Sequence, residues 1–314
     1  MRFTEKDNLA TIKDKVKTVS MKIAIVGKGG SGKSSVSWLL SKTLQQQAVH
    51  TLAIDADYNM DLGHNLGWDE DISIPYFSDA EPDFYQYQEL SQDVYYVHMP
   101  ERNMKAFSYR PHDIVTDKYS YPVQKYIDLI VAGPLHDDLL YGHRCSHAYV
   151  SALKMYLPLL EKKAEDVVLI DSVAGTDMVG YGMYLGVDAM VCVVENTKNS
   201  IGVYHHIKTI AQEFNIPLFA IGNKSQSSDL LKERINEEEL LGILQPDTAL
   251  MSYDYDHLSS QNTEIAQSVL DQLSNKDFDP QLQWKRHKDW KKKYDEQLEE
   301  NKQKDYTFIE DDKV

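Results

Sequence analysis

The stretch Met21-Lys22-Ile23-Ala24-Ile25-Val26-Gly27-Lys28-Gly29-Gly30-Ser31-Gly32-Lys33-Ser34-Ser35 decides the fold of this chain. A short, β-branched run enters a glycine-rich loop, and an amphipathic stretch leaves it at about Ser34, the strand-loop-helix context that a phosphate-binding loop requires. Gly29, Gly30 and Gly32 carry no side chain, so backbone N–H groups can turn inward around a β-phosphate while the helix N-terminus adds partial positive charge. Lys33 is placed to reach the β and γ oxygens, and the Ser34 hydroxyl to ligate Mg2+. The competing reading is a glycine-rich turn with no ligand, and the full pattern disfavours it.

Outward from the loop, apolar runs at 22–26, 51–54, 129–132, 167–170, 189–194 and 218–221 alternate with longer amphipathic stretches at 34–47, 147–161, 202–214 and 257–273. That rhythm predicts an α/β fold, a doubly wound and mostly parallel sheet flanked by helices. Three segments follow: a polar extension over 1–20, with Met21 a candidate true start; a nucleotide-binding domain over 21–275; and a charged tail over 276–314. Within the domain, 68–125 loses the rhythm and turns acidic and aromatic, with Tyr76, Phe77, Phe84, Tyr85, Tyr87, Tyr95 and Tyr96. It reads as an insertion whose rings pack a small subdomain or, alternatively, face a partner. The tail carries Trp290, Tyr294 and Leu298 at helical spacing among many charges, which reads as a solvated helix or a frayed end. Its apolar stripe is too thin for a membrane-targeting helix.

Composition narrows the classes. A hydrophobic content of 42% suffices for a sizeable core. No apolar run approaches the ~18 residues that span a bilayer, and the first twenty residues lack a signal-peptide centre. A cytoplasmic location is expected. Two cysteines, Cys145 and Cys192, do not make a disulfide framework, and Cys192 reads as a buried strand residue. The 33 basic against 49 acidic residues give a net charge of -16, which opposes adhesion to nucleic acid or to an anionic membrane. A protein or small-molecule partner is expected instead.

Three further strings fall in order behind the loop: Ala53-Ile54-Asp55-Ala56-Asp57-Tyr58-Asn59-Met60-Asp61-Leu62, Val167-Val168-Leu169-Ile170-Asp171-Ser172-Val173-Ala174-Gly175, and Ile221-Gly222-Asn223-Lys224. Asp171 ends a buried strand and suits a carboxylate that holds a Mg2+-bound water. Gly175 allows a backbone N–H to approach the γ-phosphate. Asp55 and Asp57 are also residues that cap strand ends and turns.

With its early lysine, the string from Lys28 to Ser34 resembles the deviant Walker A motif of the P-loop NTPases of the MinD, ParA and nitrogenase iron protein class. The resemblance covers roughly 21–273. It implies an ATP hydrolase in which Lys28 reaches across a homodimer interface to the other subunit's nucleotide. By the same resemblance Asp57 orients the attacking water, Asp55 lies near the Mg2+ shell with Ser34 and Asp171, and Asn223 recognises adenine beside Lys224. The implied nucleotide-binding set is Gly27, Lys28, Gly29, Gly30, Ser31, Gly32, Lys33, Ser34, Ser35, Gly175, Asn223 and Lys224, with Lys28, Lys33 and Asp57 catalytic.

Within the class, Asp171-Ser172-Val173-Ala174-Gly175-Thr176, Gly186-Val187-Asp188, Val193-Val194-Glu195 and Asn199-Ser200 look most like the CooC-type ATPases, accessory proteins for nickel insertion into carbon monoxide dehydrogenase. That family carries a Cys-x-Cys pair after a glycine, and two subunits together hold one metal ion. Here the string is Gly142-His143-Arg144-Cys145-Ser146-His147, with His143 at the first position. His143 and Cys145 from two chains supply four N and S ligands for Zn2+ or Ni2+, with His147 nearby; the alternative is that they are packing or capping residues. The leading expectation is a nucleotide-switched homodimer acting on a client protein, a metalloenzyme in the CooC analogy. The alternatives are a partitioning or positioning ATPase of the ParA or MinD kind, an ATP-dependent ligase or kinase on the same scaffold, and a degenerate binding module.

Overall fold

The computed structural model describes residues 20–69, 71–89, 104–134, 151–174, 182–225 and 227–303. Eight strands, β1 (Met21–Gly27), β2 (Thr51–Asp55), β3 (Tyr121–Gln124), β4 (Ile127–Val131), β5 (Val167–Asp171), β6 (Ala189–Glu195), β7 (Leu218–Asn223) and β8 (Leu240–Ile243), form one sheet. Their spatial order is β8-β7-β6-β1-β5-β2-β4-β3. Only the edge pair β3–β4 is antiparallel; the others run parallel.

Strands buried on both faces explain the continuous apolar strings of β1, β5 and β6, since neither face needs polar residues. Successive side chains alternate between two cores. Ala24 and Val26 enter one, with α2 (Ser151–Leu159) and α3 (Lys198–Glu213) supplying Tyr156, Leu157, Tyr204 and Ile207. Ile23 and Ile25 enter the other, with α1 (Lys33–Gln46) and α4 (Ser260–Ser274) supplying Val36, Leu40, Val269 and Leu270. Each fully buried aliphatic side chain of this size contributes roughly 2 kcal/mol. The expected α/β layering is therefore present, and Cys192 is buried in β6.

Two segments differ from their sequence reading. The rings of 68–125 do pack, but onto the main core through α2: Phe77 lies 4.9 Å and Phe107 5.0 Å from Tyr156, and Phe84 lies 5.0 Å from Phe107, centroid to centroid. Tyr95 and Tyr96 lie outside the described residues. The charged tail is the helix α5 (Pro280–Gln303), and one face of it is docked rather than solvated. Gln283, Arg286 and His287 are buried, and Trp284 and Trp290 pack against the core. Gln283 Nε2 donates to Asp188 Oδ1 at 2.8 Å, and Arg286 donates to the carbonyls of Val187 and Asn215 at 2.9 and 2.8 Å. No helix among the described residues is long and apolar enough to cross a membrane.

Candidate functional site

Parallel strands bring their carboxyl ends to one edge, where open α/β sheets place their ligands. Here Asn223, Glu195, Gly27, Asp171 and Asp55 end the five consecutive strands β7, β6, β1, β5 and β2. The loop after β1 needs its glycines. A Cβ on Gly27 (φ 143°) would meet the Val193 carbonyl oxygen at 2.6 Å, and one on Gly32 (φ 95°) would meet Asn223 Nδ2 at 2.3 Å.

Three hydrogen bonds tie this loop down. The Ser31 N–H donates to the Lys28 carbonyl at 3.1 Å, Asn223 Nδ2 to the Ser31 carbonyl at 2.9 Å, and Lys224 Nζ to the Gly30 carbonyl at 2.6 Å. A peptide unit is planar, with its C=O and N–H opposed. Drawing the Ser31 carbonyl toward Asn223 therefore aims the Gly32 N–H the other way. Lys33 is buried at the start of α1, and Ser35 Oγ lies 3.2 Å from the Tyr253 hydroxyl. Asn223, which the class resemblance assigns to adenine, is here a clasp on the glycine-rich loop.

The carboxylates sit beside it. Asp171 is fully buried and accepts from Ser37 Oγ at 3.0 Å. Burial raises its carboxyl to about 6, against the opposing pull of the Ser34 hydroxyl, the Lys33 charge and the Ser37 hydroxyl. Its Oδ2 has no hydrogen-bond partner among the described residues, and neither has the buried Ser31 hydroxyl in the loop. Asp55 pairs in register with Asp171 across β2 and β5. It accepts from the Gly63 N–H at 2.8 Å and the Asp57 N–H at 3.2 Å. Burial, and then the charge of Asp171, push it well above the usual carboxylate range.

Buried carboxyls pushed upward, with one oxygen unpartnered beside a serine hydroxyl, are a donor set suited to a divalent cation. Two carboxylates and a hydroxyl, short of a full protein cage, fit Mg2+, which keeps water and phosphate oxygens as its remaining ligands. Asp57 is half-buried on the turn after β2, where its Oδ1 accepts from the Asn59 N–H at 3.0 Å. Its charge reaches both buried carboxyls. The next residue, Tyr58, is exposed.

The structure thus brings Gly27 to Ser35, Asp55, Asp57, Asp171, Asn223 and Lys224 to one edge. Gly175 lies outside the described residues, although Ala174 places the loop after β5 beside the position of Gly29. His143, Cys145 and His147 also lie outside them, and among the described residues no group of three or more His, Cys, Asp or Glu is placed to hold a metal. Sequence reasoning missed Ser37 and Ser172, whose hydroxyl donates to the Ile25 carbonyl at 2.6 Å and ties β5 to β1. Ser37 had a readable signal, since it stands three positions beyond Ser34 and shares its helix face. It also missed Glu195, whose Oε2 lies 4.0 Å from Lys28 Nζ.

The chain resembles known proteins over most of its length. An ATP-binding protein of Methanocaldococcus jannaschii without an assigned role is 27% identical over 254 residues, covering 79% of this chain and 98% of the relative. The carbon monoxide dehydrogenase accessory protein CooC of Rhodospirillum rubrum is 28% identical over 252 residues, covering 76% and 89%. Among solved structures, the septum site-determining protein MinD of Pyrococcus horikoshii, complexed with Mg-ADP, superposes with a TM-score of 0.55 at 16% identity, covering 82% of this chain and 96% of that one. A plasmid partition protein of Borrelia burgdorferi bound to AMPPNP gives 0.54 at 18% identity, covering 81% and 97%. These two structures establish the likeness of fold. The model of the CobQ/CobB/MinD/ParA nucleotide-binding domain matches residues 22–259, and the chain belongs to that family of P-loop nucleotide-binding proteins.

Proposed function

We propose that the protein is an ATP-hydrolysing homodimer, switched by its nucleotide, that acts on a client protein. The observation that carries this reading is the setting of Lys28. Its backbone is pinned in the glycine-rich loop by the Ser31 N–H, yet its side chain is 41% exposed, whereas Lys33 is buried at the start of α1, where it is suited to phosphates bound by its own chain. A second, exposed lysine at the loop is suited to a nucleotide held by another copy. ATP places its phosphates against Gly29 to Ser34, Asp57 orients the attacking water, and Lys28 of the second subunit neutralises charge on the transferring phosphoryl group once the dimer closes. Ser34, Asp171 and, through the outer shell, Asp55 would hold Mg2+. The ion supplies neutralisation of phosphate charge when bound. Hydrolysis reopens the dimer and releases the client.

The likeness to a carbon monoxide dehydrogenase accessory protein favours a metalloenzyme as client. His143 and Cys145 from two subunits are the residues to test as Zn2+ or Ni2+ ligands. Against a membrane-positioning role stands α5, whose inner face is already buried against its own chain. The unit concerned is residues 21–275, with α5 docked on it. The test is sedimentation with metal analysis, with and without ATP and Mg2+. The expected result is a dimer in ATP that carries one metal ion, lost in Cys145→Ala. A monomer under every condition contradicts the switch, and a metal-free dimer contradicts the delivery role.

A further inference from the structure

Glu195 is a residue the catalytic account leaves unused. It ends β6 directly beside β1, with its Cα in register with Asn223 of β7. The Ser200 hydroxyl accepts from its N–H at 2.9 Å, and its carbonyl accepts from the Thr197 N–H at 2.7 Å, so its backbone is fixed. Its side chain is 22% exposed and reaches Lys28 Nζ at 4.0 Å. The backbone on the other side of this pair is equally fixed, since Lys224 and Asn223 hold the Gly30 and Ser31 carbonyls. Between two clamped backbones, the pair can break by rotation of the Lys28 or Glu195 side chain alone.

We infer that Glu195 is a positioning residue that parks Lys28 in cis, so that closing the nucleotide-bound dimer requires this ion pair to break in both subunits. The inference rests on the dimer reading above and adds the resting place of the lysine. Physically it is a competition. In the open subunit Lys28 faces Glu195 at 4.0 Å; in the closed dimer it faces the partner's nucleotide, whose phosphates carry more charge than one carboxylate. Part-exposed pairs of this kind shift an equilibrium by about two- to five-fold each. Two of them break per dimer, one in each separate open subunit, so their effects multiply to about four- to twenty-five-fold in the dimerisation constant. The pair thus sets how much ATP is needed before two subunits close, and rising salt relaxes it.

Two readouts test this on the full chain. The first is acetylation of Lys28 by acetic anhydride in the nucleotide-free protein, read peptide by peptide by mass spectrometry, with Lys224 as the internal reference. Glu195→Gln should raise the Lys28 rate about two-fold or more and leave Lys224 unchanged, and Glu195→Asp should fall between. The second is sedimentation with a non-hydrolysable ATP analogue and Mg2+. Glu195→Gln should tighten the dimer by about four-fold or more in the wild-type background and not at all alongside Lys28→Ala. Unchanged Lys28 acetylation overturns the inference and leaves the dimer reading standing, as does a dimer that Glu195→Gln weakens or leaves unchanged. Faster acetylation with no analogue-driven dimer in either protein preserves the ion pair but overturns the dimer reading, and the parking role with it.

Discussion

Asp55 and Asp171 end neighbouring parallel strands in register, both fully buried, and one oxygen of Asp171 has no hydrogen-bond partner among the described residues. Two carboxyls so placed repel each other and are poorly solvated, so the ligand-free fold carries a cost that a divalent cation relieves. The folded value of Asp171, about 6, lies above the ordinary aspartate value of 3.8. The penalty is therefore fully present above about pH 6 and is relieved as pH falls toward 4.

From this, Asp171→Asn should stabilise the ligand-free protein at pH 7. The amide oxygen can still accept from Ser37, and the charge penalty, on the order of 3 kcal/mol, disappears. The same change should remove the extra stabilisation that Mg2+ adds to bound ADP. Thermal melts in EDTA and in Mg-ADP check both halves, and a variant that melts lower in EDTA would count against the account.

The clasp on the phosphate loop predicts a binding defect without unfolding. Asn223→Ala and Lys224→Ala each remove one hydrogen bond to a loop carbonyl, and should each weaken ATP binding by about three- to ten-fold. Gly32→Ala should do more, because the new Cβ lies 2.3 Å from Asn223 Nδ2 at a φ of 95°. Calorimetric titration with a non-hydrolysable analogue, beside circular dichroism spectra, separates affinity from fold.

Docking of α5 should depend on pH. Both ring nitrogens of the buried His287 lack hydrogen-bond partners among the described residues. Burial, with the nearby charges of Lys154, Lys22 and Arg286, pushes its pKa down to about 3. A histidine held neutral in the fold stabilises docking fully above its ordinary value near 6.5, and that support is lost as pH falls from there toward 3. The protection of amides at residues 284–293, taken relative to the intrinsic exchange rate at each pH, should fall across this window. In His287→Leu the dependence should flatten.

Much of this architecture was legible in the chain. The strand, loop and helix around Lys33 have the spacing of a phosphate-binding loop, and β1 beyond Lys22, with β5 and β6 up to their terminal carboxylates, is apolar because both faces are covered. What escaped was of three kinds. The strands β3 and β8 are four residues long, one containing Pro122 and the other Gly242, too short for a period to show. The docking of α5 uses Gln283, Arg286 and His287, polar residues whose burial no hydrophobic pattern reveals. The contacts of Asn223, Lys224 and Glu195 with the loop join residues more than 160 positions apart, and only the sheet order β7-β6-β1 brings them together.

The central claim, that Lys28 serves the other subunit's nucleotide, is tested most directly by mixing two inactive proteins, Lys28→Ala and Asp57→Ala. In a mixed dimer, the site on the Lys28→Ala subunit keeps its own Asp57 and receives Lys28 from its partner. If the lysine acts in trans, an equal mixture should recover ATP hydrolysis to about a quarter of the wild-type rate, from one complete site in each mixed dimer. No recovery, with mixed dimers shown to form, would contradict the account.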